Sequence, residues 1–373
     1  MSAQHKRPIA LDLAGGDAGP ELVYRAVELA LKRGAGPLLL VGTRDELSLL
    51  PSELSGKVEL LEASETIGMS ESPARAARSK KQSTMHLGIR AVKDGDACAF
   101  VTAGNSGAAL AVALMTLKRL KGCDRPAIAS LIPTARGHIT LLDLGANTEV
   151  RPAQFAQFAV LGEAYSRVIT GVDRPRVGLL SNGVELTKGT EVLRTAHQLL
   201  SITDLNYLGF IESNAIPLGQ CDVVVTDGFT GNVALKLTEG IIDGLKMRLS
   251  DHLGKSWRGR MMMPLLKPLL KSFASEIDWR QVGGAPILGV NGLVMVSHGR
   301  SDEIALSSAI CRARESIEAS LINELSVALE STPYSGRVSS TSELSIFPNQ
   351  GLNEGEESRT EQESRSDTDN LKG

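Results

Sequence analysis

Apolar and polar residues repeat along this chain in one order: a short apolar run, a turn bearing glycine or asparagine, then an amphipathic stretch of helical period. Pro8–Leu13 reads as a strand entering the turn AGGDAGP, with a helix over Glu21–Lys32 behind it. Pro37–Gly42 is a second buried strand with a helix after it, and Glu71–Val92 reads as one long helix rich in Arg and Lys. Cys98–Val101, Ala127–Ile132, Ile139–Leu144, Val177–Leu180, Asp222–Val225 and Leu293–Ser297 are further strands. Helices are predicted over Pro152–Tyr165, where proline falls in the first turn, and from Glu191 to Leu200. Strands alternating with helices predict an α/β fold, a three-layer αβα sandwich around a mostly parallel sheet. Ligands of such sheets bind beyond the carboxyl ends of the strands.

Two segments share a signature. VTAGNSGAAL at Val101–Leu110 and VTDGFTGNVA at Val225–Ala234 both read V-T-x-G-x-[ST]-G, and each joins a strand to a small-residue helix. A strand that breaks at glycines and restarts as a helix leaves unpaired backbone N–H groups converging at the positive end of the helix dipole. That is an anion site, and Gly104, Gly107 and Gly231 would let a phosphate touch bare backbone. Two copies predict a pseudo-duplicated core with an anionic substrate near both turns.

Other polar residues fall where strands end: Asp12 and Asp17, Asn105, Asp143 and Asn147, Glu185 and Lys188, Asp227 and Asn232, and Asn291. Singly, Asp or Asn beside Gly is turn chemistry or a helix cap. Collectively they predict carboxylates, amides and a lysine along one rim of the sheet. HITLLD at His138–Asp143 has the spacing of a His-x4-Asp acyltransferase dyad, but the run is β-like. Residues five apart in a strand face opposite ways and stand roughly 16 Å apart, so the match is rejected.

Composition narrows the classes. The 373 residues are 42% hydrophobic and 22% charged, a globular balance. A net charge of −3 with 3% aromatics gives no case for nucleic acid. Cys98, Cys123, Cys221 and Cys311 lack C-x-x-C spacing and read as reduced core residues of a cytosolic protein. Lys6, Arg7 and the short run Ile9–Leu13, cut by Asp12, do not resemble a secretion signal, and no apolar stretch reaches membrane-spanning length. Metal, nucleotide and serine-nucleophile motifs are missing, so neither metal nor cofactor is expected. Residues 1–330 read as one domain; from about Ser331 to Gly373, Ser, Glu, Asp and Gly predict a disordered acidic tail.

Two basic stretches remain. The Glu71–Lys93 segment offers Arg78, Lys80 or Lys81 to a phosphate or an acidic partner, or to solvent alone. Asp243–Ser275 holds Lys246, Arg248, Lys255, Arg258, Arg260, Lys267 and Lys271 against Asp243 and Asp251, beside Trp257, Met262, Leu265, Leu266, Leu269 and Phe273. A protruding helical hairpin over about 240–280 fits, its apolar tip touching an anionic membrane surface or a second copy of the chain.

IALDLAGGDAGP, ESPARAARSKKQST, VTAGNSGAAL, DRPAIASLIPT, LLDLGANTEVRP, VGLLSNGVELTKGTE, VVVTDGFTGNVALK and GGAPILGVNGLVMVSHGRSD resemble the bacterial phosphate acyltransferase family, PlsX, in order and spacing from about Ile9 to Glu318. The resemblance implies an isocitrate dehydrogenase-like fold shared with phosphotransacetylases, and a homodimer held peripherally at the inner face of the membrane. It implies acyl-phosphate formation from fatty acyl-[acyl carrier protein] and inorganic phosphate. A membrane glycerol-3-phosphate acyltransferase would use that product to begin phospholipid synthesis. Phosphate is its own nucleophile, so positioning and electrostatics suffice. Lys188 is the expected phosphate or oxyanion cation, and Asn232 and Asn105 the amide donors. Ser106 and Thr230 would orient phosphate, with Asn147, Glu185, Asp227, Asn291, His298 and Lys81 around them. The family's lysine loop is close to LLNIGEEETKGN; here Ser181, Val184 and Thr190 depart from it. Rival readings are a phosphotransacetylase acting on short acyl-CoA and an idle membrane scaffold that binds the carrier protein.

Overall fold

The computed structural model describes residues 7–16, 19–255, 257–276, 278–297, 299 and 301–332. They belong to a compact unit of residues 1–336; a second unit, 337–373, lies outside the described residues, and so does the expected tail from 333 onward. The strands are β1 (Ile9–Asp12), β2 (Leu38–Thr43), β3 (Glu59–Ala63), β4 (Ala99–Thr102), β5 (Ala127–Thr134) and β6 (Gly137–Leu142), then β7 (Val177–Leu180), β8 (Tyr207–Ile211), β9 (Val223–Val225), β10 (Ala285–Leu288) and β11 (Leu293–Val296). They form a single sheet in the order β3-β2-β1-β4-β11-β10-β5-β6-β9-β7-β8.

The helices α1 (Pro20–Lys32), α2 (Arg44–Ser48), α3 (Pro73–Ser79), α4 (Thr84–Asp94), α5 (Ser106–Thr116) and α6 (Pro152–Thr170) occupy the first half. The second half holds α7 (Glu191–Ser201), α8 (Ala215–Leu218), α9 (Gly228–Lys255), α10 (Trp257–Glu276), α11 (Glu303–Glu318) and α12 (Leu321–Ser331). Alternation along the strands splits the core in two. Ile9, Leu11, Leu38, Leu40, Ala99 and Val101 pack with α1, α6, α7, α11 and α12 on one face. Ala10, Leu39, Val41, Phe100 and Val294 pack with α3, α4, α5 and α8 on the other. The three-layer αβα sandwich is therefore observed.

Strand direction departs from the sequence expectation. β3, β2, β1, β4 and β11 are mutually parallel. β10 opposes β11 and β5, and β5 opposes β6. β6, β9, β7 and β8 are again parallel to one another. These reversals turn the second group against the first, so the carboxyl end of β4 and those of β6, β7 and β9 open at opposite edges. The polar loops do not share one rim. The hairpin β5–β6 causes the flip, because a short turn can join only antiparallel strands.

The Glu71–Val92 stretch is two helices rather than one. Ser83 caps α4 by accepting the His86 amide at 3.4 Å, while Lys80 turns aside to donate to Thr66 O and Glu71 Oε1. β3, β8 and β10 complete the sheet where the sequence reading placed no strand.

Candidate functional site

The first glycine turn is built on a buried carboxylate. Asp12, at the end of β1, accepts the Thr102 hydroxyl at 2.8 Å and the Ala14 amide at 3.1 Å. Thr102 in turn accepts the Gly104 amide at 2.9 Å. A Cβ on Gly15 would press into the backbone at Ala103 N, 2.8 Å away, so the loop after β1 meets the turn after β4 this closely only as glycine. Burial is the main influence on Asp12 and raises its pKa to about 6, against the opposing hydrogen bonds. Asn105 is not the free amide expected. Its oxygen caps α5 by accepting Ala108 N at 3.0 Å, and its nitrogen donates to Met69 O and Glu71 O, both at 3.1 Å. It ties the 69–71 segment to the turn. Ser106 follows half-buried, its hydroxyl without a partner among the described residues.

A second carboxylate builds the other turn. Asp143 accepts four hydrogen bonds, from Ile128 N, Ala146 N, Asn147 N and Asn147 Nδ2, between 2.6 and 3.1 Å. Burial still raises its pKa. Asn147 also donates to Pro126 O at 2.8 Å, so its amide is consumed in the scaffold and corrects the substrate-binding expectation. Any side chain at Gly231 would collide with the Asp143 carbonyl, and Gly228 N donates to Asn147 O at 2.7 Å. The start of α9 is thus clamped onto the loop after β6. Asp227 caps that helix, accepting Thr230 N at 2.8 Å and the Thr230 hydroxyl at 2.7 Å. Thr230 is accordingly exposed and already engaged, a second correction. Asn232, half-buried and turned toward Gly145, keeps its amide without a partner among the described residues.

Between the turns lies a cavity of about 360 Å³. Gly104, Ser106, Gly107 and Leu110 line it from the first turn, Gly145 and Asn232 from the second. β5 supplies Ile128, Ser130, Leu131 and Ile132; the α9 face supplies Leu235, Lys236, Glu239 and Ile242; Arg280, Val282, Ala285 and Val296 close the far side. Most of this wall is hydrocarbon, with polar groups gathered at the turns and along α9. Lys236 and Arg280 are its basic residues. Arg280 is spent on Asp278, at 2.6 Å, and Asp302, at 2.8 Å. Lys236 has no ion pair within 4 Å among the described residues. Glu239 faces the same cavity, its pKa raised by burial and restrained by Lys236.

Sequence reasoning missed Lys236, although helical period from Asn232 puts the two on one face one turn apart. The four cysteines are buried with raised thiol pKa values, Cys123 to about 12 and Cys221 to about 11, and none lines the cavity. They are inert by position. Among the described residues no three His, Cys, Asp or Glu groups gather to hold a metal ion.

The remaining candidates scatter. Lys188 and Glu185 are exposed in the loop after β7, on the Asn232 edge but outside the cavity wall. Two departures in that loop have local roles: Thr190 caps α7 by accepting Leu193 N at 3.3 Å, and Ser181 donates to Asn182, which accepts Gly189 N. Val184 is exposed. Lys81 is exposed in the link between α3 and α4, away from the cavity. Asn291 is a clear misplacement. It precedes β11, whose Leu293 sits level with Ala99 at the start of β4, so it lies at the opposite end of these strands from Gly104. His298 lies outside the described residues, as does Asp17.

The basic, apolar segment does form paired helices, but residues 257–273 are not a tip. They make most of α10, a full second arm beside α9. Leu265, Leu266 and Leu269 therefore stand about 12–18 Å along α10 from its start at Trp257.

 Leu265 is 79% exposed, Leu269 69% and Met262 52%, while Leu266 is half-buried; the Trp257 side chain is outside the described set. Exposed apolar residues recur every fourth position along both arms: Leu237, Ile241, Leu245 and Leu249 on α9, and Met261, Leu265, Leu269 and Phe273 on α10. No helix among the described residues is long and apolar enough to cross a membrane.

Comparison with known proteins agrees with this architecture. A family model described as "Fatty acid synthesis protein" matches residues 8–324. The phosphate acyltransferase of Pelotomaculum thermopropionicum is 42% identical over 330 residues, covering 88% of this chain and 96% of that protein. That of Pelobacter propionicus is 43% identical over 310 residues, covering 82% and 90%. Among solved structures, a phosphotransacetylase from Streptococcus pyogenes aligns with a TM-score of 0.55 at 18% identity, over 84% of this chain and 95% of that one. At that identity the likeness is one of fold. With the family model spanning nearly all of the described unit, and relatives above 40% identity over most of their own length, the chain belongs to the phosphate acyltransferase family, a family of acyltransferases.

Proposed function

We propose that this chain catalyses the reversible conversion of fatty acyl-[acyl carrier protein] and inorganic phosphate into acyl-phosphate and free carrier protein, the first step toward phospholipid. The observation that carries the reading is the cavity itself. One space joins an apolar wall suited to an acyl chain with a glycine turn, an unpartnered Asn232 amide and a lysine suited to an anion.

The chemistry needs little more. A phosphate oxygen attacks the thioester carbonyl carbon, a tetrahedral oxyanion forms, the C–S bond breaks, and the thiolate leaves and takes a proton from solvent. A thiol with a pKa near 8.5 is a good leaving group, so a strong general acid is not required. Asn232 and the amides at the α5 N-terminus donate to phosphate or oxyanion, and Ser106 orients the nucleophile. Lys188 acts from the edge, raising the local concentration of anions. The long apolar wall favours a fatty chain over the short acyl-CoA of a phosphotransacetylase.

The reading extends to assembly. The α9 ridge pairs with a second copy of the chain, and α10, with its exposed leucines and the lysines Lys267 and Lys271, rests on an anionic membrane. There a membrane glycerol-3-phosphate acyltransferase would receive the product. The deciding assay incubates the protein with long-chain acyl-[acyl carrier protein] and labelled phosphate, and with acetyl-CoA in parallel. Labelled acyl-phosphate from the carrier-bound substrate is expected. Product from acetyl-CoA alone would move the chain to phosphotransacetylase chemistry, and no product with carrier protein still bound would leave a scaffold.

A further inference from the structure

The cavity contains a cation to which neither the glycine turns nor the lysine loop drew attention. We propose that Lys236 is a catalytic residue that meets the phosphate directly and neutralises the charge developing on it; this rests on the reaction assigned above.

Three cations compete for that role. Arg280 lines the cavity, but Asp278 and Asp302 hold its guanidinium at 2.6 and 2.8 Å, so its charge is already balanced. Lys188 and Lys236 are both exposed, but Lys188 lies on a loop outside the cavity wall. Lys236 lines the cavity and, among the described residues, has no carboxylate within ion-pairing distance. Its neighbour along the helix, Glu239, is partly buried, and burial opposes the ionisation that would offset the lysine.

Position strengthens the assignment. Lys236 follows Asn232 by one turn of α9, so an amide and an ammonium share one face of one rigid element. Across the cavity, Ser106 and Gly107 open α5, where unpaired backbone N–H groups and the helix dipole favour negative charge. Positive potential therefore borders the cavity at both turns. Lysine is a compact point charge on a flexible stem, able to follow phosphate as its oxygen moves toward the carbonyl carbon. Lys236 makes and breaks no bond in this step; the attacking oxygen, the breaking C–S bond and the departing thiol account for all the bonds that change.

The test compares Lys236→Gln and Lys236→Arg with Lys57→Gln, which removes an equal charge from an exposed site before β3. Loss of a donor aimed at transition-state charge is expected to lower turnover about a hundredfold in Lys236→Gln. The apparent KM for phosphate should rise while that for the acyl donor stays near the wild type, and Lys236→Arg should recover part of the loss. Melting curves identify any variant that fails to fold, in which case Lys236→Arg carries the comparison. Wild-type phosphate saturation and turnover in Lys236→Gln, or an equal loss in Lys57→Gln, overturns the proposal. Broadening of the inorganic phosphate signal in phosphorus NMR gives a readout independent of the reaction. If the wild type makes no acyl-phosphate yet broadens that signal, and Lys236→Gln does not, the reaction is wrong and the anion site stands. If both proteins broaden it equally, Lys236 is not the phosphate ligand.

Discussion

Thr102 donates its hydroxyl hydrogen to Asp12 across the seam between β1 and β4, at 2.8 Å, and with the same oxygen accepts the Gly104 amide. A buried carboxylate thereby fixes the backbone of a turn that lines the cavity, without itself reaching the cavity. Asp12 is a positioning residue, and its consequences are thermodynamic as well as geometric.

Burial raises the Asp12 pKa from 3.8 to about 6. Between those values the folded chain keeps a proton that the unfolded chain has lost, so Asp12 makes stability fall as pH rises through this window. Above it the penalty is constant, about 3 kcal/mol at 1.36 kcal/mol per unit. Asp12→Asn removes the titration. Relative to the wild type, the variant should therefore be more stable at pH 7 than at pH 4 by up to that amount, whatever fixed cost the substitution brings. Urea denaturation at the two pH values measures it. A wild-type–variant difference that does not move with pH would show that Asp12 titrates normally.

Asn232→Asp places a carboxylate where the substrate anion should sit. The expected loss is on the order of a hundredfold in kcat/KM, with phosphate saturation displaced to higher concentration. The helix should be unaffected, because the Asn232 side chain has no hydrogen-bond partner among the described residues. Initial rates against phosphate concentration decide the matter, and unchanged saturation would remove Asn232 from the site.

Lys188→Ala should behave differently from a loss inside the cavity. An exposed cation at the edge steers anions and is screened by salt. The apparent KM for phosphate should rise several-fold at low ionic strength, the difference from wild type shrinking as salt is added, with kcat preserved. A collapse of kcat at every salt concentration would instead restore Lys188 to the oxyanion site that the sequence suggested for it.

The sequence made the layered fold legible because most of its strands are short and apolar and several run into glycine turns. The strand reversal was not legible: Ala127–Thr134 and Gly137–Leu142 look like any other buried strands, and only the short turn between them betrays an antiparallel pair. The same limit governed the site. Gly104 and Gly107 were readable from the repeated turn, since its backbone asks for glycine, and Ser106 and Asn232 from their places in and beside it. Asn105 and Asn147 carry the same polar chemistry but spend it on Met69 and Pro126, partners that only the folded chain brings near, and Thr230 spends its hydroxyl locally on the capping Asp227. Lys236 was overlooked for the opposite reason. It sits inside a helix, where a lysine ordinarily faces water, and its importance depends on what the far wall presents.

The two arms of the hairpin separate assembly from membrane contact. Leu237 and Leu245 lie on the α9 ridge, whereas Leu265 and Leu269 lie on the more basic α10. Burying a leucine contributes about 1.5–3 kcal/mol, and each lysine or arginine near an anionic surface about 1 kcal/mol. Together these permit reversible adhesion without an anchor. Leu265→Glu with Leu269→Glu should therefore abolish sedimentation with anionic liposomes and leave a dimer active on carrier-bound substrate. Leu237→Glu with Leu245→Glu should instead yield monomer by sedimentation equilibrium. Added salt should weaken liposome binding of the wild type, since the cationic share is screened. If the α10 variant falls to monomer, that ridge is the dimer face and the arms exchange roles. If it still sediments with liposomes, the membrane contact lies off this hairpin.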